Sequence, residues 1–584
     1  CACLVGSEMC IRDRSMFKLR RFLKHYKKEL ILGPFFKLLE AIFELAVPLV
    51  MAQIIDKGIG NNDSDYVWKM SGLIVVLGIC GLGFALTCQF FAAKCAYGFG
   101  TELRDALYKH INKFSHAEID RFGTSSLITR ITNDTVLAQN GVNMFIRLAV
   151  RAPFLIVGAA VMSMTLDLKL SIIFLIAAPI ITLIIVWVMK KTVPMYKKIQ
   201  KGLDKISLLT RENLDGVRVI RAFSKQEEEK KELINESGRL SDNAVIAGKI
   251  SAILNPVTFM IMNLGIVAIL WFGGIRVDTG YLTQGEITAF VNYMTQILLA
   301  LVVLANLVII FTKAASSASR INEVFDTQPS MTDGSDTEFD FSSPAVEFEN
   351  VSFSYPDAGD LSLNNISFTL KKGEILGIIG GTGSGKSTLA NLVPRFYDIT
   401  SGNIKIFGKD IKKYSMEELR NLIGIVPQRA ALFSGTIADN MRWGKPDATD
   451  QEIISVLKIA QAWEFVSKLT DGIKTNISQG GKNLSGGQRQ RLTIARALVG
   501  NPPVVILDDS MSALDYATDL ALRKAIESEL KDTAVIMISQ RATTLQNADH
   551  ILVLDNGEAA GYGIHETLLK NCEEYAEIYK SQMS

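Results

Sequence analysis

The stretch GEILGIIGGTGSGKSTLANLV, residues 373–393, combines an apolar run, a glycine-rich loop and a helix-like segment. The loop has the spacing Gly380-x-x-x-x-Gly385-Lys386-Ser387 and follows directly on the predicted strand. Glycines let backbone N–H groups wrap around phosphates, the helix N-terminus adds positive potential, and a lysine at this spacing reaches the β- and γ-phosphates. The stretch therefore predicts an α/β domain that binds a nucleotide.

A second apolar run supplies the other half of the predicted site. Residues 504–507 read as a buried strand that ends in Asp508 and Asp509. A carboxylate delivered by this strand and the hydroxyl of Ser387 are the oxygen ligands that Mg²⁺ prefers. We therefore predict that the site holds the phosphates of a nucleotide together with Mg²⁺.

The rest of the chain is rich in membrane-like segments. It has 584 residues, of which 48% are hydrophobic, and its formal net charge of +2 gives no reason to expect a nucleic acid partner. A membrane-spanning helix needs about 20 apolar residues. Six segments meet this length, near residues 29–55, 70–94, 138–164, 169–189, 250–273 and 286–312.

The distribution of Lys and Arg orients these spans. Both are concentrated before the first span and in the long connections 94–137 and 190–249. Cytoplasmic connections carry such an excess, so both ends of the chain and both long connections are predicted to be cytoplasmic. The helix-like patterning of the connections predicts that the spans continue beyond the bilayer.

These features predict a multi-domain protein with a six-helix α-helical transmembrane domain followed by an α/β P-loop domain. Residues 1–15 have no periodicity and are expected to be extraneous to the fold. The transmembrane domain is predicted at 16–325, a polar linker at 326–344, and the nucleotide-binding domain at 345–584.

Four ionisable residues lie within the predicted spans: Glu40 and Glu44 in the first, and Arg147 and Arg151 in the third. Each pair is one helical turn apart and so lies on one face. A charge that faces lipid costs several kcal/mol, roughly. These residues are therefore expected either to line a substrate path or to form interhelical ion pairs, and the sequence leaves both interpretations open.

A third motif, LSGGQRQR at residues 484–491, lies between the P-loop and the second apolar run. With it, the sequence resembles the ATP-binding cassette (ABC) family over residues 16–584, and its organisation resembles a half-size ABC exporter. Residues 120–134 and 212–223 resemble the connections that carry short coupling helices in that family. The resemblance implies a dimer in which ATP binding and hydrolysis drive transport.

The resemblance also implies roles for individual residues. Tyr355 would stack on adenine, Gln428 would touch Mg²⁺ and sense the γ-phosphate, and Asp515 would join the two sites of the dimer. The signature motif would cap the ATP held by the opposite subunit. The expected ATP-binding residues are Tyr355, Gly380, Gly381, Thr382, Gly383, Ser384, Gly385, Lys386, Ser387, Thr388, Gln428, Ser485, Gly486, Gly487, Gln488 and Asp515; the expected Mg²⁺ ligands are Ser387, Gln428 and Asp508; the expected catalytic residues are Lys386, Asp509 and Gln540.

Two positions depart from the family pattern at the expected catalytic centre. Asp509 stands where the family usually has a glutamate that orients the attacking water, and Gln540 stands where it usually has a histidine that contacts the γ-phosphate. A third departure, Gln479, replaces a common acidic residue. The first two predict slow ATP turnover at the P-loop of this chain, while the intact signature could complete a competent site on another chain. This pattern resembles the degenerate-site subunit of bacterial heterodimeric multidrug-type exporters.

The expected function is ATP-driven export of amphipathic or lipophilic substrates, which would be drug-, lipid- or peptide-like, from a bacterial plasma membrane. The expected partners are a second half-transporter chain, membrane lipid and the small amphipathic substrate. A fully active homodimeric flippase, a regulatory or gating subunit with little hydrolysis, and an importer of the same architecture are the alternatives. The sequence identifies neither the substrate nor the partner chain.

Overall fold

The computed structural model describes residues 16–356 and 358–583. The residues expected to be extraneous, 1–15, lie outside this part of the chain. The contacts divide the described chain into two compact units. The first contains Ser125–Thr327 together with the residues up to Asn112, and the second contains Lys113–Thr124 together with the chain from Gln328 onwards.

The first unit is built from helices. They are α1 (Lys27–Gln53), α2 (Ser64–Ile111), α3 (His116–Phe122), α4 (Thr124–Thr129), α5 (Thr135–Met144), α6 (Arg151–Leu166), α7 (Leu168–Asp215), α8 (Val217–Ala222), α9 (Gln226–Ala252), α10 (Leu254–Asp278) and α11 (Gln284–Asp326), of which α3 belongs to the second unit. A 3₁₀ helix at Leu19–Tyr26 precedes α1, and π-helical turns occur at Ile54–Ile59, Arg130–Asp134 and Phe145–Ala149.

Six continuous helical stretches of the described chain are long and apolar enough to cross a membrane. Each contains one predicted span, so the prediction of six spans is confirmed. They are Met16–Ile59, Ser64–Ile111, Thr124–Leu166, Leu168–Asp215, Gln226–Asp278 and Gln284–Asp326, and their lengths of 43 to 53 residues are about twice what a bilayer requires. The helices therefore extend well beyond the membrane, as the patterning of the connections predicts.

The ionisable residues of the spans are mostly paired. Arg151 donates a hydrogen bond to Glu44 at 2.7 Å, which is an ion pair between two helices. Glu40 instead pairs at 2.6 Å with Lys37, one turn away on its own helix and 9% exposed. Among the residues that the structure describes, Arg147 has neither a hydrogen-bond nor an ion-pair partner. The ion-pair interpretation thus holds for Glu44 and Arg151, and the sequence analysis overlooked Lys37.

The second unit contains the nucleotide-binding fold. Its strands are β1 (Val346–Phe353), β2 (Leu363–Leu370), β3 (Ile375–Gly380), β4 (Ser401–Ile406), β5 (Lys409–Asp410), β6 (Ile423–Val426), β7 (Gly435–Thr436), β8 (Asn476–Ile477), β9 (Val504–Asp508), β10 (Ala534–Ile538), β11 (His550–Asp555) and β12 (Glu558–Gly563). Its further helices are α12 (Lys386–Leu392), α13 (Met416–Asn421), α14 (Ile437–Met441), α15 (Asp450–Ile459), α16 (Trp463–Val466), α17 (Gly486–Leu498), α18 (Tyr516–Glu529), α19 (Ala542–Leu545), α20 (His565–Asn571) and α21 (Glu573–Met583).

These strands form two main sheets. The larger has the order β12-β11-β3-β10-β9-β6, in which β12 is the antiparallel edge strand and the other neighbours are parallel. The smaller sheet, β2-β1-β4-β5, is antiparallel, and β7 pairs with β8 separately. The prediction of an α/β domain after six membrane helices is confirmed.

Alternation along the central strands explains why these layers pack together. Successive side chains of a strand point to opposite faces. Val504 and Ile506 of β9 lie in one core cluster with residues of the antiparallel sheet, whereas Val505 and Leu507 lie in another with residues of the helical layer. A strand buried on both faces reads as a continuous apolar run, which is the pattern that 504–507 show.

Two segments outside the predicted nucleotide-binding domain also belong to the second unit. In the predicted linker, Gly334 and Asp336 donate backbone hydrogen bonds to the carbonyls of Tyr414 and Lys413, at 3.2 and 3.0 Å. In α3, His116 stacks on Phe396 at 4.4 Å. Residues 113–124 are thus part of this unit although they lie within the predicted transmembrane segment of the sequence, and the boundaries at 325 and 345 stay a prediction.

Candidate nucleotide-binding site

The glycine-rich loop connects the end of β3 to the start of α12. Gly383 and Gly385 have φ angles of +84° and +94°, in the left-handed region that glycine adopts without steric cost. These two residues let the backbone turn sharply and deliver Lys386 to the first position of the helix. The sequence order of strand, loop and helix is thus present as predicted.

Lys386 lies folded into this loop. Its ammonium group donates to the carbonyl oxygens of Gly380 and Gly381 at 2.9 and 2.5 Å, and to Ser384 Oγ at 3.3 Å. Burial lowers the pKa of Lys386 from its ordinary value, while Asp509 and Asp508 oppose this shift. The amino group of Lys386 therefore lies within the loop, near enough to the carboxylates of Asp508 and Asp509 to interact with them electrostatically.

The predicted metal ligands Ser387 and Asp508 meet directly. Ser387 Oγ donates to Asp508 Oδ1 at 3.0 Å, which joins the start of α12 to the end of β9. Asp508 is 7% exposed, and burial raises the pKa of its carboxyl group, against the effect of the Ser387 hydrogen bond. A hydroxyl and a buried carboxylate side by side fit a small divalent cation that prefers oxygen ligands.

Asp509 lies next to these groups and contacts Gln428. Gln428 Nε2 donates to Asp509 Oδ2 at 3.2 Å. The backbone of Asp509 has φ +44°, a left-handed conformation that aspartate tolerates better than most residues, and its N–H donates to the carbonyl of Ile538 at 3.1 Å. The carboxylate of Asp509 is therefore held in place both by its backbone and by the Gln428 amide.

Gln540, the second departure from the family pattern, follows β10. It lines a cavity of about 540 Å³ together with Asp509, Ser539, Arg541 and Gln582. The structure thus places both departures around the same space. Gln582 belongs to the last described helix, α21, and no sequence motif pointed to it.

Tyr355 lies beside the P-loop helix. Its hydroxyl forms a hydrogen bond with Thr388 Oγ1 at 3.1 Å, and its ring meets the rings of Phe353 and Tyr397 edge-on at 4.9 and 5.2 Å. This cluster holds an aromatic side chain next to the loop.

The signature motif forms a separate helix start. Ser485 caps α17 through a capping box: Gln488 N donates to Ser485 Oγ at 3.3 Å, and Ser485 N donates to Gln488 Oε1 at 2.9 Å. Gly486 and Gly487 form the first turn. Within the described residues, Ser485 and Gln488 make no hydrogen bond to the P-loop of their own chain. The structure therefore joins Ser387 to Asp508 and Gln428 to Asp509, whereas the hydrogen bonds of Ser485 and Gln488 stay within the signature motif.

Asp515 likewise caps a helix. Its carboxylate accepts from Thr518 N at 3.0 Å and from Thr518 Oγ1 at 2.7 Å, and these hydrogen bonds lower its pKa. Its side chain is thus used within the chain at the start of α18.

Comparison with known proteins places this site in a family. The ABC transporter transmembrane region family matches residues 30–302, and the ABC transporter family matches residues 363–512. The chain is 39% identical over 567 residues to the uncharacterized ABC transporter ATP-binding protein YfiB of Bacillus subtilis (strain 168), covering 97% of this chain and 98% of that one. It is 32% identical over 577 residues to the ATP-dependent lipid A-core flippase of Haemophilus influenzae (strain 86-028NP), covering 97% of each.

Among solved structures, the chain resembles that of a bacterial Atm1-family ABC exporter with ATP bound, with a TM-score of 0.78 and 24% identity. The match covers 97% of this chain and 99% of that chain, and it concerns the fold. The alignments with the two sequence relatives each cover 97% of this chain, so the family relationship includes both units. The chain belongs to the ABC transporter family, as a half-transporter with the fold of an ABC exporter, which crosses the membrane several times and carries its ATP-binding domain in the cytoplasm.

Proposed function

We propose that this chain is one half of a dimeric, ATP-driven exporter and that ATP bound at its own P-loop is hydrolysed slowly. The observation that carries the proposal is the placement of Asp509. Its carboxylate follows the metal-binding position Asp508 and is held by Gln428 at 3.2 Å. In the ABC family, which the chain resembles at this motif, a glutamate at this position usually orients the attacking water.

The length of the side chain is the physical reason for slow turnover. Aspartate keeps the charge of glutamate but is one methylene shorter, so its carboxylate should stop about 1 Å short of the water. A misplacement of about 1 Å can cost on the order of 10²-fold in rate. Gln540, which lines the same cavity, can donate a hydrogen bond to the γ-phosphate but cannot become cationic as histidine does. Both departures act in the same direction.

Residues of this chain suit ATP with Mg²⁺. Ser387 and Asp508 would hold the cation, with Gln428 next to Asp509 as a further candidate ligand. The loop from Gly380 to Gly385 would surround the phosphates, and Lys386 would neutralise part of their charge. A bound Mg²⁺ ion would spread the negative charge that develops on the transferred phosphoryl group.

The signature motif supports a partner chain. Ser485, Gly486 and Gly487 present a hydroxyl and backbone N–H groups at the start of α17, a 13-residue helix whose N-terminus favours anions. Because this motif makes no hydrogen bond to the P-loop of its own chain in the described structure, it is suited to cap ATP on a second half-transporter. We favour a partner that supplies its own glutamate and histidine, and hence a heterodimer.

Amphipathic or lipophilic compounds are the proposed cargo, and a bacterial plasma membrane the proposed location. The relative from Haemophilus influenzae is named a lipid A-core flippase, which is consistent with a lipid-like substrate. Each membrane-spanning stretch contains a strongly apolar window, and the mean hydropathy of these windows is 1.8 to 2.9. Drug-, lipid- and peptide-like compounds all fit this description.

The proposal is tested by steady-state ATPase activity of the full chain in lipid nanodiscs. We expect near-zero turnover with ATP still bound, and a gain from Asp509→Glu that Gln540→His increases further. Lys386→Ala serves as the control that loses ATP binding itself. Brisk turnover that Asp509→Glu leaves unchanged would instead support a fully active homodimer.

A further inference from the structure

The side-chain amide of Gln582 bridges the segment that follows β10. Gln582 Nε2 donates to the carbonyl of Gln540 at 2.7 Å, and Gln582 Oε1 accepts from the N–H of Ala542 at 2.8 Å. The two hydrogen bonds lie on either side of Arg541. One side chain, 40 residues or more away in sequence, thus holds the backbone at both Gln540 and Ala542.

Two further hydrogen bonds, both of Arg541, are local. Ser539 Oγ accepts from the N–H of Arg541 at 3.0 Å, and the carbonyl of Arg541 accepts from Thr544 at 3.1 Å. Within the described chain, Gln582 is the only side chain from outside the segment that bonds to the backbone of residues 540–542. The orientation of Gln540 therefore depends on α21 as well as on β10.

Helix α21 is itself well anchored, so that it can serve as a support. Tyr575 in its first turn is completely buried in the core and forms a hydrogen bond with His565 Nδ1 at 2.7 Å. Ile578 and Tyr579 pack against the same core cluster. Gln582 thus projects from a helix whose position is fixed by packing, and a site built on such an element is held accurately.

The cavity connects this bridge to the candidate site. Gln582 lines it together with Gln540, Asp509 and Ser539. The bridge needs one donor and one acceptor on a single side chain, and a primary amide provides both, whereas a carboxylate provides only acceptors and an ammonium only donors. This requirement explains the use of glutamine here.

We propose that Gln582 is a positioning residue: it fixes the backbone on both sides of Arg541 and so directs the side chain of Gln540 toward the γ-phosphate of bound ATP. This inference rests on the proposed function, which assigns Gln540 to that phosphate. Since ADP lacks the γ-phosphate, loss of the bridge weakens ATP binding and leaves ADP binding unchanged.

The test measures displacement of the fluorescent analogue TNP-ATP by ATP and by ADP from the full chain in nanodiscs. Because the phosphate is charged, the hydrogen bond that Gln540 gives to it corresponds to roughly a 10- to 150-fold change in affinity. We expect Gln582→Ala to lower the ATP affinity relative to ADP by about this factor, and Gln540→Ala to do the same. The double variant should be no worse than Gln540→Ala alone, because Gln582 acts through Gln540. Lys580→Ala, on the exposed side of α21, is the matched control.

The outcomes separate the two ideas. An effect of Gln540→Ala without one of Gln582→Ala overturns the positioning role and leaves the proposed function standing. No effect of Gln540→Ala removes its assignment to the γ-phosphate, and the positioning role with it. Equal loss of ATP and ADP affinity in Gln582→Ala, or effects that add in the double variant, would mean that Gln582 is merely structural. Gln582→Glu, which keeps the bond from Ala542 and loses the bond to Gln540, should be intermediate and covers the case in which Gln582→Ala does not fold.

Discussion

The amide of Gln428 donates to the carboxylate of Asp509 at 3.2 Å, which connects the end of β6 with the residue after β9. A neutral donor facing an anion stabilises the anion, whereas a second carboxylate at this distance would repel it. The position of the Asp509 carboxylate therefore depends in part on Gln428. This dependence leads to the first prediction.

Gln428→Glu should slow hydrolysis by roughly 10- to 100-fold, because repulsion displaces the Asp509 carboxylate by a distance that matters for the reacting water. Single-turnover hydrolysis with excess protein measures this change even when the parent is slow. Gln451→Glu adds the same charge at an exposed position of α15 and should have no effect. An unchanged rate in Gln428→Glu would show that the contact between Gln428 and Asp509 does not support hydrolysis.

Asp508→Asn should remove the Mg²⁺ dependence of ATP binding. Asparagine can still accept the hydrogen bond from Ser387, but it lacks the charge that a divalent cation requires. Loss of a residue that only supports a metal ligand lowers metal affinity by roughly 10- to 100-fold. We expect the ATP affinity measured in Mg²⁺ to fall by at least this factor, and the ATP affinity measured in EDTA to change little. Asp532→Asn, whose side chain is 93% exposed, is the matched control. Equal losses with and without Mg²⁺ would argue against a metal-binding role.

Local patterns account for the parts of the structure that could be predicted. The order of strand, glycine loop and helix around Lys386 is continuous in sequence, and so is the apolar run that ends in Asp508. The six spans likewise follow from the hydropathy of single segments. In each case the physical signal, either backbone geometry or burial, lies within about 20 residues.

Contacts between distant residues could not be predicted in this way. Gln582 and Gln540 are 42 residues apart, and a glutamine near the end of an amphipathic helix carries no motif. Residues 113–124 belong to the second unit because His116 stacks on Phe396, a contact that hydropathy does not report. Lys37 is the single cation in a mostly apolar run. Its ion pair with Glu40 is a consequence of the burial of both side chains, which the sequence does not report.

The ion pair between Glu44 and Arg151 gives a third prediction, about stability. Removing one partner leaves the other charge half-buried without compensation, so Arg151→Gln and Glu44→Gln should each lower the unfolding temperature in nanodiscs. The double variant should lose less than the sum of the two, with a coupling free energy of about 0.5–3 kcal/mol. Lys190→Gln, a change of the same type outside any ion pair in the described chain, is the control. Additive losses would mean that the two residues do not interact.

Docking of α3 within the second unit should depend on pH through His116. Its ring stacks on Phe396 at 4.4 Å, and burial together with the nearby Arg420 lowers the pKa of His116, while Asp120 opposes this shift. The neutral ring is therefore favoured in the docked helix. Docking should be strongest above the ordinary histidine pKa of about 6.5 and weaken as the pH falls below that value, since the undocked ring binds a proton first.

Hydrogen exchange of residues 113–124, measured at pH 7.5 and 5.5 and corrected for the intrinsic rate, should show less protection at the lower pH. His116→Phe keeps the stacking and removes the titration, so its protection should be the same at both values; a loss of protection at pH 5.5 that persists in this variant would assign the effect to another group.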